Sequence, residues 1–556
     1  MQVNAILFDV QSIQKYIFAN NKLKANVGAS YIVDTLFRQV LCESVLLKHI
    51  KNDSVSIDTD SWENGLDITQ SLPASVYVAS IGGGNALVLV DPTIDCQEEK
   101  VITNKIIELF TTEVLVKCPG LKVGATDGEL DTNDGQFQKD LRKLYKKLKI
   151  NQFNLNPIVR PANTGLTVIC DYSGDVGEVT QRFEEGERIV SQSFIAKYEM
   201  YKAAEKRLEE MLLQNIEQNF VFPAKLDELG QKKSTDRSKT GINDIAIVHI
   251  DGNNMGAKFR ECKTSAERSN LSKRVNAHTI NSFKKLVEWI VGKYDVLKNQ
   301  EQFEFKSDNL LPIRPIIVGG DDITFVCNAR IAVQAAHYLM KQLLEGEDKI
   351  YSCAGIAIIP TSYPFFRGYE MAEQLCDNAK SRMRKYNKAH ETDNLKIESC
   401  WLDFAFLHGE TAPSLEQFLE NEYSSVEGNM HFGPYRVFGN NDTVSATDIF
   451  ALDKVLECTS QFKLVKENDY FGDLLAHNKV KELRSVLQDN KHSQKLFREQ
   501  LDKTKKSLPK VVGWDNFAKN LWVEIKAKGI TNEKGEWKTP YVDAIELMDY
   551  IVPGLE

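Results

Sequence analysis

Three carboxylates in two short stretches are the residues of this 556-residue chain best placed for chemistry. Asp321 and Asp322 follow Gly319 and Gly320, between two apolar, β-branched runs that begin at Pro315 and end at Asn328. That pattern predicts a β-hairpin with both acids at or just past its apex. Like charges that close repel each other, and a cation neutralises them. Magnesium suits the task because it takes hard oxygen ligands, accepts one or two protein carboxylates, and fills its remaining positions with water and substrate phosphate. The tetrapeptide alone is also ordinary turn composition, so it needs a partner.

That partner is Asp251, at the carboxyl end of the apolar run starting at Ile245. Beyond it, Gly252, Asn253, Asn254 and Gly256 allow a tight loop whose backbone N–H groups approach an anion, and a helix starting near Asn254 adds its positive end. A strand ending in one acid beside a hairpin carrying two is the layout of a palm built for two-metal phosphoryl transfer. Downstream, the helix predicted from Tyr369 to Arg384 sets Lys380 and Arg384 four residues apart on one face, where both reach a triphosphate. The plainer reading of that pair is an exposed basic patch.

The elements that position these residues occur twice. Val3 to Asp9 reads as a strand ending in an acid, Val76 to Ile81 and Ala86 to Val90 as paired strands, and Gly82, Gly83, Gly84 and Asn85 as the turn between them. Asp9 to Gly82 spans 73 positions and Asp251 to Gly319 spans 68, each running strand, helices, strand, glycine turn, strand. A divergent duplication is the economical explanation. Only the second copy keeps acids at its turn, so the first is expected to hold a ligand without metal.

Length predicts several domains: a first palm over 1–150, a linker and helical domain over 151–240, a second palm over 241–400 and a mainly helical domain over 401–556. The fold class is therefore α+β, with two ferredoxin-like palms related by duplication. Gln138 to Lys149 is a basic helix, read as a solvated face around Leu141, Leu144 and Leu148 in preference to an RNA-binding one. Glu184 to Phe220 is read as a long helical stretch, Gln231 to Asn243 as polar and mobile, and Ile350 to Pro360 as a strand interrupted at Ala354 and Gly355. Beyond residue 401, helices are predicted over Ala446 to Leu456, Lys479 to Leu487, Ser493 to Leu501 and Tyr541 to Ile551, with no chemistry attached.

Composition sets bounds. Hydrophobic residues make up 42% and charged residues 26%, ordinary for a globular chain, and the net charge of −9 argues against a bulk nucleic-acid sponge. Ten cysteines are scattered singly with no C-x-x-C pair, which argues against a zinc ribbon or a disulfide framework. No apolar run reaches membrane-spanning length. A cytoplasmic location, no membrane and no zinc are expected.

These motifs resemble the large palm-containing subunit of type III CRISPR effector complexes. The second-palm likeness lies in Ile245 to Gly256, Val318 to Val326, Ser352 to Ile358, Tyr363 and Pro364, and Ala372 to Lys380. The first-palm likeness lies in Ile13 to Ile17, Val27 to Tyr31 and Gly82 to Asn85; Leu402 to Phe404 and Gly433 to Tyr435 look like landmarks after the second palm. The resemblance implies synthesis of cyclic oligoadenylates from ATP with two Mg2+ or Mn2+ ions held by Asp251, Asp321 and Asp322. It implies nucleotide contacts at Gly252, Asn253, Asn254, Gly256, Gly319, Gly320, Lys380, Arg384, Gly82, Gly83, Gly84 and Asn85, and partners among guide or target RNA and sister subunits. With both palms in one chain, a monomer suffices for catalysis. Three departures stand out: no His-Asp dipeptide marks a nuclease domain, the zinc cysteines are missing, and Gly252-Asn253 follows Asp251 where the family has a second acid. Two rivals are a stand-alone cyclic dinucleotide synthase and a silent RNA-binding scaffold.

Overall fold

The computed structural model describes residues 1–95, 100–133, 135–154, 165, 167–184, 186–216, 219–229, 244–300, 303, 305, 307–391, 397–409, 414–467, 475, 477–525 and 535–555. Two compact units result: one of Met1–Asn215, Asn254–Ile280 and Ile316–Asp321, the other of Ile216–Asn253, Asn281–Pro315 and Asp322–Glu556. The 231–243 run read as mobile lies outside the described residues.

In the first unit, β1 (Gln2–Gln11), β2 (Ile57–Asp58), β3 (Val76–Gly82), β4 (Asn85–Val90) and β5 (Lys122–Asp131) form one sheet in the order β2-β3-β4-β1-β5. Apart from the two-residue β2, every neighbouring pair is antiparallel. Helices Leu23–Leu36 and Phe37–Ile50 lead from β1 to the hairpin, and Val101–Lys117 leads from β4 to β5. This is the β-α-β-β-α-β order of a ferredoxin-like palm. Val3 and Ala5 to Phe8 are almost fully buried, because helices cover the central strand; the Phe110 ring meets Phe8 at 4.6 Å. The basic helix, Phe137–Asn154, turns Leu141, Leu144 and Leu148 inward and its lysines outward, where Lys147 pairs with Asp127 at 3.0 Å.

The stretch read as helical from Glu184 instead opens with a hairpin, β6 (Val179–Phe183) against β7 (Gly186–Val190). Val179 faces Val190 and Thr180 faces Ile189, so β-branched pairs outweigh the helix-favouring glutamates of the turn. Helix begins only at Gln192, where Ser191 caps the Phe194 amide, and runs as Gln192–Glu199 and Tyr201–Leu212.

The larger sheet contains β8 (Asp244–Gly252), β9 (Ile313–Gly319), β10 (Asp322–Asn328), β11 (Ser352–Pro360), β12 (Cys400–Phe406) and β13 (Tyr435–Val437), in the order β13-β12-β11-β8-β10-β9. Its β9-β10-β8-β11 portion repeats the β3-β4-β1-β5 order of the first sheet, which carries the duplication into three dimensions. β12 then adds a parallel strand beside β11.

The predicted break in β11 is absent. Gly355 pairs in register with His249 and Ile356 with Val248, and the glycine serves a different purpose. Helix Phe365–His390 crosses so closely that a Cβ at Gly355 would run into the backbone at Ala372 and Cys376. We expect Gly355→Val to cost about 1–3 kcal/mol in urea denaturation, through overpacking against backbone that cannot move aside. An unchanged midpoint would mean that helix Phe365–His390 lifts off β11 without cost.

Past the sheet, helices run over Leu452–Glu467, His477–Gln488, Lys491–Thr504 and Tyr541–Leu547. The first starts six residues later than predicted because Asp448 accepts the Ser445 amide and hydroxyl, folding 445–451 into turns. Buried His431 lies between Asp403 of β12 at 2.8 Å and Asp543 of helix Tyr541–Leu547 at 3.4 Å. Among the described residues no helix is long and apolar enough to cross a membrane.

Candidate active site at the strand carboxylates

Register alone brings two of the three acids together. Asp251 of β8 lies opposite Asp322 of β10, and His249 lies opposite Thr324. Residues two apart on a strand share a face, so these four side chains form one patch. Because Gly355 admits helix Phe365–His390 onto the sheet, that helix delivers Tyr369, Glu373 and Lys380 to the patch.

Lys380 reaches Asp251 directly, Nζ to Oδ2 at 2.5 Å, with Asp377 at 3.8 Å. Burial pushes the ammonium's pKa down, but Cys376 and Asp251 more than reverse this, so the group stays charged. His249 is buried, with Nδ1 3.1 Å from the Thr324 hydroxyl and 3.4 Å from Asp322 Oδ1. Burial holds its pKa below the usual histidine value against the pull of Asp251, so the imidazole is neutral at neutral pH. Tyr369 stands edge-on to that ring at 5.7 Å. Glu373 keeps its proton to higher pH than a free carboxyl, through burial first; His249 opposes this, and Asp377 and Asp322 add to it.

The remaining candidates are placed as follows. Gly252 closes β8, and the Asn253 amide donates to Tyr351 O at 2.7 Å while its side chain donates to Ser399 O at 3.3 Å. That N–H therefore already has an acceptor and does not point at an anion. Asn254 takes φ 60° ahead of the short helix Met255–Glu261, which contains Gly256. Arg384 is exposed one turn beyond Lys380. Gly319 ends β9, and Gly320 turns with φ 61° into Asp321.

In the first palm, Gly83 and Gly84 turn with φ 58° and 76°, Gly82 ends β3, and Asn85 lies opposite Asp9. The Asp9–Asn85 pair thus occupies the register of Asp251–Asp322. Here an amide replaces the second acid, and Gln152 donates to Asp9 Oδ2 at 2.8 Å where the second palm uses Lys380. Burial raises the Asp9 pKa, against the Gln152 hydrogen bond and Lys149.

His249, Thr324, Tyr369 and Glu373 were missed in the sequence. The signal for the first was its two-residue offset from Asp251; for the last two it was helical spacing back from Lys380. As donors, Asp251 and Asp322, with Asp321 next in the chain, offer only hard oxygens, the set that magnesium or manganese takes. Among the described residues no group of three or more His, Cys, Asp or Glu is drawn into metal-binding geometry, and Lys380 supplies the positive charge at Asp251.

Residues 244–389 match the family model for the Cas10/Cmr2 second palm domain. This part of the chain is similar to a Cas10/Cmr2 second palm domain. Its span runs from the first residue of β8 into the last turn of the helix carrying Lys380, and so includes every residue of the carboxylate patch. No curated protein matches the sequence. Solved structures similar to the chain include a Csm1-Csm4 cassette in complex with cA3, at 12% identity and TM-score 0.48, covering 99% of this chain and 70% of that one. A cassette in complex with pppApApA is 12% identical with TM-score 0.41, and Csm1 in T.onnurineus is 14% identical with TM-score 0.39. Each of these two covers 68% of this chain, and the chain spans about half (52%) of their length.

Proposed function

We propose that the chain is a metal-dependent nucleotidyl cyclase that joins ATP into cyclic oligoadenylate-type messengers in CRISPR-type antiviral defence. The observation that carries this reading is the facing pair Asp251 and Asp322 with Lys380 at 2.5 Å, inside the span similar to a Cas10/Cmr2 second palm domain. Mg2+ or Mn2+ held by Asp251, Asp321 and Asp322 would supply Lewis acidity at a ribose hydroxyl and an α-phosphate.

The chain's own groups do the rest. Lys380 keeps Asp251 oriented, and its ammonium is within reach of phosphate oxygens arriving at the same carboxylate. Arg384, one turn on and exposed, binds the outer phosphates. Neutral His249, paired with the Thr324 hydroxyl at 3.1 Å, lies 3.4 Å from Asp322 Oδ1 and adds no charge that would compete for a cation. As the ribose hydroxyl bonds to the α-phosphate, the α–β phosphoanhydride bond breaks and pyrophosphate leaves. Guide or target RNA and sister subunits are the partners through which such an enzyme would be switched on.

A silent scaffold is the second reading, favoured by the Lys380 ammonium already neutralising Asp251. Purified chain incubated with Mg2+ or Mn2+ and each NTP in turn, with products resolved by mass spectrometry, separates the two. The expected result is a cyclic oligonucleotide from ATP that disappears in the Asp321→Ala, Asp322→Ala variant. A product that persists in that variant overturns the cyclase reading, and so does silence with every NTP after type III subunits and target RNA are added.

A further inference from the structure

Helix Ser265–Gly292 carries a polar stripe at Ser265, Ser269, Ser272, Asn276 and Thr279. The spacings of four, three, four and three place all five on one face. Within the first unit, Ser265 donates to Ala79 O at 3.2 Å, Ser269 donates to Trp62 O at 2.6 Å, and Ser272 lies where a Cβ on Gly82 would come within 2.9 Å of its hydroxyl. The last two members turn to the other glycine turn. Asn276 Oδ1 accepts from Gly320 N at 3.0 Å, and Thr279 Oγ1 donates to Gly320 O at 2.6 Å.

A threonine inside a helix usually returns its hydroxyl to the carbonyl four residues back. Thr35, Thr111, Thr459 and Thr504 do so in this protein. Thr279 instead reaches a carbonyl 41 positions away. Both backbone polar groups of Gly320 are therefore satisfied by side chains of one helix. Gly320 N belongs to the peptide plane before that residue, and Gly320 O belongs to the plane it shares with Asp321. Holding both planes fixes the direction in which Asp321 leaves the chain, and Asp322 follows by covalent linkage.

We propose that Asn276 and Thr279 are positioning residues for the Gly320-Asp321 turn, and that the same helix face, anchored by Ser265 and Ser269 on the first palm, sets the turn from that palm. The proposal rests on the reading above that Asp321 and Asp322 are working carboxylates. A misplacement on the order of 1 Å costs up to about a hundredfold in rate, so loss of either clamp should act on turnover rather than on nucleotide affinity.

The test uses the full chain with Thr279→Val, which keeps shape and loses the hydroxyl, Thr279→Ser, which restores it, and Asn276→Leu at an exposed position. Thr279→Val and Asn276→Leu should lower kcat about 10- to 100-fold with KM for ATP changed less than about threefold, while Thr279→Ser stays within about threefold of the parent. Hydrogen exchange over 317–323 should speed up at least about fivefold in the first two variants and not in the third. Parent-like exchange in Thr279→Val and Asn276→Leu, or faster exchange with an unchanged rate, overturns the proposal. Product that survives Asp321→Ala, Asp322→Ala overturns the function reading instead, and exchange still reports on the clamp. Should Thr279→Val fail to fold, Asn276→Leu carries the same comparison, and should the parent make no product, exchange decides.

Discussion

Asp322→Ala is expected to cut nucleotide-product formation by at least about a hundredfold, and Asp251→Ala by a similar factor, while Asp9→Asn changes it less than about threefold. The three positions form a controlled comparison because Asp9 stands in the first palm where Asp251 stands in the second, each opposite the first residue of the strand that returns from a glycine turn. What differs is the surroundings. Asp251 faces a second carboxylate and an ammonium, whereas Asp9 faces Asn85 and accepts a hydrogen bond from the Gln152 amide. A lone carboxylate held by amides gives a hard cation one ligand, and a facing pair gives it two. Asp322→Ala should also cost little stability, under about 1 kcal/mol, because it relieves like-charge repulsion at a half-buried site. The measurement is initial rate of product formation from ATP under saturating Mg2+, with urea midpoints recorded beside it. Equal losses for Asp9→Asn and Asp322→Ala would remove the distinction between the palms, and normal turnover in Asp322→Ala would remove the acids from the chemistry altogether.

Much of this site is legible in the sequence, for reasons that differ by residue. Asp251 and Asp322 could be paired from sequence because a strand ending in an acid and a glycine hairpin leave little freedom of register. Lys380 was found from helical spacing, but that it sits on Asp251 needed the helix height over the sheet, which Gly355 sets. Gly355 itself was misread as a break in β11, since a glycine admitting a helix and a glycine ending a strand look the same in one dimension. The hairpin β6-β7 was missed because glutamates around Gly186 favour helix locally, and only the cross-strand partners Val179 and Thr180 decide otherwise. Asn253 was assigned to an anion cradle, and its amide is held by Tyr351, a partner that sequence pattern does not reveal. Nothing in the sequence linked Asn276 to Gly320 across 44 positions.

His431 gives the second large effect, on stability. Its imidazole is buried, Nε2 2.8 Å from Asp403 Oδ1 and Nδ1 3.4 Å from Asp543 Oδ1. Burial pushes its pKa down, but the two carboxylates overcome this and hold it up at about 10. The unfolded chain releases the same proton near the ordinary value of about 6.5. Below that pH both states carry the proton and the contribution is complete; between about 6.5 and about 10 only the folded state does. Stability should therefore fall as pH rises through that window, by up to about 1.4 kcal/mol per pH unit from this group. Glu546, pushed up to about 7 by burial against the pull of Arg484, contributes a loss of the same sign at lower pH, between about 4.5 and 7. Urea midpoints between pH 7 and pH 9.5 should decline in the parent and flatten in His431→Gln. That variant should lie about 3–5 kcal/mol below the parent at pH 7, since two buried carboxylates lose the cation between them, and should approach it at pH 9.5. Parallel slopes would show that His431 is neutral in the folded protein. The consequence reaches the active site through Asp403, whose other oxygen accepts from Asn378 at 2.7 Å, two residues before Lys380 on the same helix. Deprotonating His431 leaves Asp403 repelled by Asp543 and loosens the helix at the turn that carries Lys380, so the Lys380–Asp251 contact should weaken over the same pH window.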